Sequence, residues 1–125
     1  MSHFTKVATQ LKRREHIITA CRALGYEVAE NTDVRGWREQ KMKAEIVCRQ
    51  ANGYDIGFVR ENENGTYEIV ADWYGAGVRA QDFALRVQRE YAAQGALAGA
   101  KKAGWRNLKR VVEPDGSILI TGTRI

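Results

Sequence analysis

The stretch Gly53-Tyr54-Asp55-Ile56-Gly57-Phe58, answered after a turn by Tyr67-Glu68-Ile69-Val70-Ala71-Asp72-Trp73-Tyr74-Gly75, decides the fold. Both runs alternate with period two. The turn between them, Glu61 to Gly65, ends in Asn64-Gly65, two residues that tolerate positive φ, so the stretch reads as an aromatic-rich β-hairpin. Tyr54, Ile56 and Phe58 then share one face with Tyr67, Ile69, Ala71 and Trp73. The other face carries Asp55, Gly57, Val59, Glu68, Val70 and Asp72. Registers that preserve this matching set Asp55 directly across from Asp72 or one diagonal step away. Like charges directly opposed destabilise a strand pair, so the pair calls for an arginine, a metal ion, a shared proton or access to water.

Upstream, Ala44 to Gln50 reads as a strand with Ala44, Ile46 and Cys48 on one face, and Asn52-Gly53 supplies a tight turn. With strands over 54–60 and 66–73 this makes an antiparallel meander. Alternation around Phe4 predicts a first strand from Ser2 to Gln10. Ile17, Ala20 or Cys21, and Leu24 fall at helical spacing, with Gly25 placed as a left-handed C-terminal cap. Tyr26 to Ala29 reads as a short strand, Asn31-Thr32-Asp33 as a turn, and Val34-Arg35-Gly36-Trp37-Arg38 has no clear period.

Downstream, Ala80 to Ala103 predicts a long helix with Phe83, Val87, Tyr91, Gln94 and Ala98 on one face. Gly95 and Gly99 each cost about 0.5–1 kcal/mol relative to alanine, so a kink or break is expected near Gly95. Gly104 closes the helix. Trp105 to Val112, the turn Glu113-Pro114-Asp115-Gly116, and Ser117 to Thr123 form a second hairpin. The expected fold is α+β: an antiparallel β-sheet of about five to seven strands, with one short and one long helix packed on one face. The chain reads as a single globular domain over residues 1–125.

With 125 residues, 44% hydrophobic and 28% charged, such a domain can bury a core without staples. Cys21 and Cys48 have neither C-x-x-C spacing nor histidine neighbours, which disfavours a zinc site or a disulfide framework and points to a reducing compartment. No apolar run reaches the roughly 18 residues of a membrane helix, and Met1 to Lys6 lacks a signal-peptide core. A soluble protein retained where it is made is expected. The net charge of +5 is unevenly spread: +4 over residues 1–50, −4 over 51–78, +6 over 79–110 and −1 over the remainder. The hairpin is an acidic block between two basic ones, which attract it within the domain or offer a basic surface to an anionic partner.

Asp55 and Asp72 form the one arrangement that could carry acid-base chemistry or hold Mg²⁺ or Ca²⁺, although two aspartates in a hairpin more often serve as salt-bridge partners or exposed groups. Ser2 and Ser117 sit near the N-terminus and in a turn, and His3 and His16 lie in the first strand and on the polar side of the first helix. No nucleophile elbow results. Gly75-Ala76-Gly77 reads as a strand-to-helix connection rather than a phosphate loop. No catalytic residue, metal or cofactor is expected. Lys101, Lys102, Arg106, Lys109 and Arg110 cluster around Trp105, a stacking platform, and give the alternative of a nucleic-acid-binding module.

The strings Met1-Ser2-His3-Phe4-Thr5, Val34-Arg35-Gly36-Trp37, Asn52-Gly53-Tyr54-Asp55-Ile56-Gly57-Phe58 and Ala71-Asp72-Trp73-Tyr74-Gly75 occur in order, followed by Tyr91-Ala92 and, more weakly, the Asp115-Gly116 turn. On these the chain resembles the conserved family of the hypothetical chloroplast open reading frame thirty-five, with members in plastids, cyanobacteria, other bacteria and some viruses. That family has no established catalytic residues. Its members often lie beside genes for an AAA-type ATPase and a very small companion protein, so the resemblance implies an accessory role and such proteins as partners. It also implies a cytoplasmic location, or the chloroplast stroma for a plastid-encoded member. The leading expectation is a non-enzymatic adaptor acting through protein contacts, with Arg35, Trp37, Asp55, Asp72, Trp73 and Tyr74 as its surface, since tryptophan and tyrosine anchor interfaces. Nucleic-acid binding through residues 101–110 is the alternative. An acid-base or metal-dependent enzyme centred on Asp55 and Asp72 ranks last.

Overall fold

The computed structural model describes residues 3–124. In chain order the elements are β1 (Thr5–Ala8), α1 (Arg14–Ala23), β2 (Glu27–Arg35), β3 (Lys41–Arg49), β4 (Ile56–Val59), β5 (Glu68–Ala71), α2 (Trp73–Ala76), α3 (Ala80–Lys102), β6 (Arg106–Val112) and β7 (Ile118–Thr123). The fold is α+β, as expected, but the strands divide into two sheets. Five form an antiparallel sheet in the order β1-β5-β4-β3-β2, and β6 and β7 pair separately.

The aromatic hairpin has the expected faces: Ile56 pairs with Ala71, Gly57 with Val70 and Phe58 with Ile69. Ile56, Phe58, Tyr67, Ile69 and Ala71 join Ile46 and Cys48 in one buried cluster. Onto it α1 contributes Ile17, Ile18 and Cys21, and α3 contributes Phe83, Ala84 and Val87. The fully buried rings Phe58, Tyr67 and Phe83 are its largest members, each contributing about 1.5–3 kcal/mol by leaving water. Both helices end as the sequence expects, on left-handed glycines. Gly25 N–H donates to Arg22 and Tyr26 N–H to Cys21; Gly104 N–H donates to Lys101 and Trp105 N–H to Ala100. These are paired bonds of the Schellman type.

Several local expectations are corrected. The first strand spans only Thr5–Ala8, and the Ser2 start lies outside the described residues. Asn31-Thr32-Asp33 is not a turn but the middle of the nine-residue β2, where Asn31 adopts a φ of 50°. Asparagine tolerates this left-handed conformation, so a turn-forming residue is absorbed into a strand. The same position changes the faces. Glu30 pairs with Ile46 and Thr32 with Ala44, so Asn31 lies opposite Glu45. Beyond that point Ala44 leaves the face of Ile46 and Cys48 and joins Val34, Val47 and Val70 on the second face.

Trp73 is not the end of a strand, because the chain turns helical immediately after Asp72. The long helix also runs unbroken through Gly95 and Gly99. Its flanking alanines are strong helix formers, and their propensity offsets the cost of the two glycines. Its buried face is Phe83, Ala84, Val87, Glu90 and Ala93, whereas Ala98 is exposed and Gln94 only half-buried.

The second face of the main sheet is covered by the chain itself. The far end of the β2–β3 hairpin folds over it, placing Val34 so tightly on Gly57 that a side-chain carbon at Gly57 would collide with Val34 Cγ2. Asp55 N–H donates to the Arg35 carbonyl at 3.0 Å, and Phe4 packs on Gly36. The turn Gly36–Gln40 thereby reaches from the β2 edge of the sheet to the β1–β5 end.

Candidate functional site

That crossing brings two sequence-distant segments onto the two aspartates. Arg35 closes β2 and Arg49 closes β3. The register that pairs Cys48 with Ile56 carries Arg49 to the position facing Asp55. Asp55 is fully buried. The Arg35 guanidinium grips it with both forks, Nε to Oδ2 at 2.7 Å and Nη2 to Oδ1 at 2.8 Å. Arg49 Nη1 donates to Oδ2 at 2.8 Å, the Arg35 N–H to Oδ2 at 3.0 Å and the Gln50 N–H to Oδ1 at 3.2 Å. Burial alone would raise the Asp55 pKa. The donors of Arg35, Gln50 and Arg49 outweigh it and hold the carboxyl below its ordinary value.

The arginines are tied down in turn. Arg49 Nη1 donates to the Asp33 carbonyl and Arg35 Nη2 to the Gln50 carbonyl, while Gln50 Nε2 bridges to the carbonyls of Tyr54 and Ala76. Asp55 thus joins β2, β3, the start of β4 and the end of α2. An open groove of 640 Å³ lies beside it, lined by Glu27, Thr32, Asp33, Arg35, Lys41 and Arg49 among others.

Asp72 has a different environment. It is also buried, and its Oδ2 accepts the Trp37 N–H at 3.1 Å, but its Oδ1 has no hydrogen-bond partner among the described residues. The aspartates do occupy facing positions, since continuing the Ile56–Ala71 pairing sets them opposite one another. They do not share a cluster of donors. Asp55 is neutralised by arginine, while Asp72 pins the Gly36–Gln40 turn to the start of α2.

The aromatic candidates separate by exposure. Trp73 is half-buried against Phe83, with its ring N–H donated to the Thr5 carbonyl. Tyr74 is 86% exposed and Trp37 36% exposed, with the Arg38 guanidinium over the Trp37 ring at 4.2 Å. Arg35, Trp37, Asp55, Asp72, Trp73 and Tyr74 therefore belong to one end of the molecule, but only Trp37, Tyr74 and part of Arg35 face outward.

At the other end, Lys101 and Lys102 finish α3 and Trp105, Arg106 and Lys109 lead into and along β6, all of them exposed. Arg110 is exposed as well but is engaged: its Nη2 donates to the buried Glu90 Oε1 at 2.6 Å. It fastens the β6–β7 hairpin to α3, and the Glu90 interaction holds its pKa above the ordinary value.

Sequence reasoning missed Arg49, Gln50 and Glu90. The signal for Arg49 was present, because a strand ending Cys48-Arg49 beside one starting Asp55-Ile56 places opposite charges across a pair. It also missed that Cys21 and Cys48, 27 positions apart in sequence, meet in the core as buried free thiols. A hydrogen bond with Cys21, then burial, pushes the Cys48 thiol well above its ordinary value. Among the described residues no group of three or more His, Cys, Asp or Glu side chains could hold a metal ion, and no helix is long and apolar enough to cross a membrane.

A family model described as "Protein of unknown function (DUF1257)" matches residues 20–121. The "Uncharacterized protein ycf35" of Guillardia theta is 32% identical over 126 residues, covering 97% of this chain and 95% of its own. Its counterpart in Cyanophora paradoxa is 28% identical over 127 residues, covering 99% and 98%. That of Trieres chinensis is 26% identical over 121 residues, covering 94% and 93%. No solved structure matches the chain.

Proposed function

The chain belongs to the DUF1257 family, and from the geometry of its central hairpin we propose that it is a non-enzymatic adaptor that docks a protein through the Trp37–Tyr74 end. The observation that carries this reading is the exposure of Trp37 and Tyr74 beside the hydrogen bond from Trp37 N–H to Asp72, with the arginine-clamped Asp55 bracing the same end of the sheet. Exposed aromatics on a braced scaffold lose little conformational freedom on binding, which is what an interface anchor requires. Asp55 is fully occupied by arginine and backbone donors, so it braces the surface rather than moving protons. An AAA-type ATPase or a very small companion protein is the partner class offered by the family resemblance. The cytoplasm or the chloroplast stroma is the matching compartment.

Site-specific photocrosslinking tests the proposal. A photoreactive residue at Tyr74 should capture one discrete protein from native extract, and the same residue at Glu61 should not. Substituting Trp37→Ala in the crosslinking protein should reduce the yield at least about tenfold, the effect of an anchor worth roughly 1.4 kcal/mol or more. Equal yields from Tyr74 and Glu61, or no effect of Trp37→Ala, would refute it.

A second reading, nucleic-acid binding, is favoured by the exposed Lys101, Lys102, Arg106 and Lys109 around Trp105, none of which enters an ion pair among the described residues. Phosphate-driven affinity is largest in low salt, so a mobility shift with single-stranded RNA or DNA that fades steeply as salt rises supports it. No shift at low salt removes it.

A further inference from the structure

We propose that Asp72 is an acceptor site for a basic side chain, lysine or arginine, of the docking protein, completed when that cation donates to Oδ1. The proposal rests on the protein-docking reading for the owner of the cation, but not for the chemistry of the carboxylate.

Asp72 is 1% exposed, its Oδ2 takes the Trp37 N–H, and its Oδ1 is buried without a donor among the described residues. It enters none of the ion pairs of those residues. Asp55, on the facing position, is served by three guanidinium contacts and two backbone N–H groups, so the sheet end is able to saturate a buried aspartate and leaves this one incomplete. Helix capping does not account for Asp72. It stands at the N-cap of α2 yet makes no side-chain cap bond. Its one bond, to the Trp37 N–H, would be served equally by asparagine.

A buried acceptor without a partner costs free energy that an incoming donor recovers, and a cation recovers more than a neutral donor because it also balances the charge. The neighbouring Trp37 ring already holds one guanidinium, that of Arg38. Oδ1 is covered in the free protein, so occupation must shift the Gly36–Gln40 turn. The Trp37 amide, bonded to the other carboxylate oxygen, is the reporter.

The experiment follows the Trp37 backbone amide of the isotope-labelled full chain by NMR during titration with methylguanidinium, methylammonium and neutral methylurea. A saturable shift with one or both cations and none with methylurea is expected, and the comparison of the two cations identifies arginine or lysine as the better fit. Asp72→Asn should weaken the cation response at least about tenfold, and Glu61→Ala, in the exposed turn at the opposite end of the hairpin, should leave it unchanged. No saturable response to either cation, an equal response to methylurea, or undiminished binding by Asp72→Asn would overturn the proposal. Should Asp72→Asn fail to fold, the methylurea comparison on the unaltered chain decides. A cation response without a crosslinked partner refutes the docking reading alone, and a crosslinked partner without a cation response refutes this inference alone.

Discussion

Replacing Asp55 by asparagine should test whether this residue braces the fold. The substitution keeps the shape but removes the charge, and it presents an amide NH₂ to a pocket that offers only donors. Arg35 and Arg49 guanidinium groups and the N–H groups of Arg35 and Gln50 all point at the two carboxylate oxygens. Removing one partner of a buried, hydrogen-bonded charge cluster costs about 3–5 kcal/mol. The lower end applies here, because the Arg35 and Arg49 side chains keep 45% and 27% of their exposure and can turn to solvent once released. A loss of about 3 kcal/mol lowers the melting temperature of a domain of this size by roughly 10–15 °C.

Thermal unfolding followed by circular dichroism over a range of pH supplies a second readout. The folded pKa of Asp55 is depressed, since arginine and backbone donors outweigh its burial. Its contribution to stability is therefore full above the unfolded value near 3.9, and it is lost as pH falls towards and through the lower folded value. The unaltered protein should lose melting temperature over that interval, and Asp55→Asn should lack that component. A drop of less than about 3 °C at neutral pH, or an unchanged acid limb in the variant, would refute the reasoning.

Gly95→Ala and Gly99→Ala should each raise stability by about 0.5–1 kcal/mol, measured as a higher melting temperature, because α3 is continuous there and nothing lies within 4 Å of the added carbon. Arg110→Ala should free the β6–β7 hairpin while sparing the main sheet. Glu90 Oε2 is already buried without a partner, and the Arg110 bond to Oε1 is the carboxylate's one hydrogen bond among the described residues, so amide hydrogen exchange of β6 and β7 should quicken selectively. Cys21 and Cys48 should resist alkylation at pH 8 in the folded protein and react on unfolding, because both are buried and the Cys48 thiol is held protonated by Cys21 and by burial.

The central hairpin was legible because its signal is local. Period-two alternation and an Asn-Gly turn depend on residues a few positions apart, and the faces and the Ile56–Ala71 register follow from them. The second hairpin and both helix caps were legible for the same reason. What escaped was governed by single residues acting against their surroundings. Asn31 adopts a left-handed conformation inside β2, which lets the segment pair with β3 on both sides of it where a turn was expected, and beyond it Ala44 lies on the other face. Trp73 continues the alternation perfectly, yet Asp72 ends the strand and the chain turns helical.

The candidate site shows the same division between local and long-range information. That Asp55 and Asp72 face one another was readable from the alternation, and so was the need for something to relieve the two charges. Which relief each receives depends on where the far end of β2 travels, and that depends on Gly57. Only a residue without a side chain lets Val34 settle over the sheet at that position, and Val34 carries Arg35 onto Asp55 and the Trp37 N–H onto Asp72. Gly57→Ala should therefore act on both aspartates at once. Overpacking of about 1–3 kcal/mol would be accompanied by shifts in the Arg35 and Trp37 amide resonances together. If only the amides beside residue 57 shift, the closure of β2 over the sheet does not depend on that glycine, and the link between the two halves of the site is wrong.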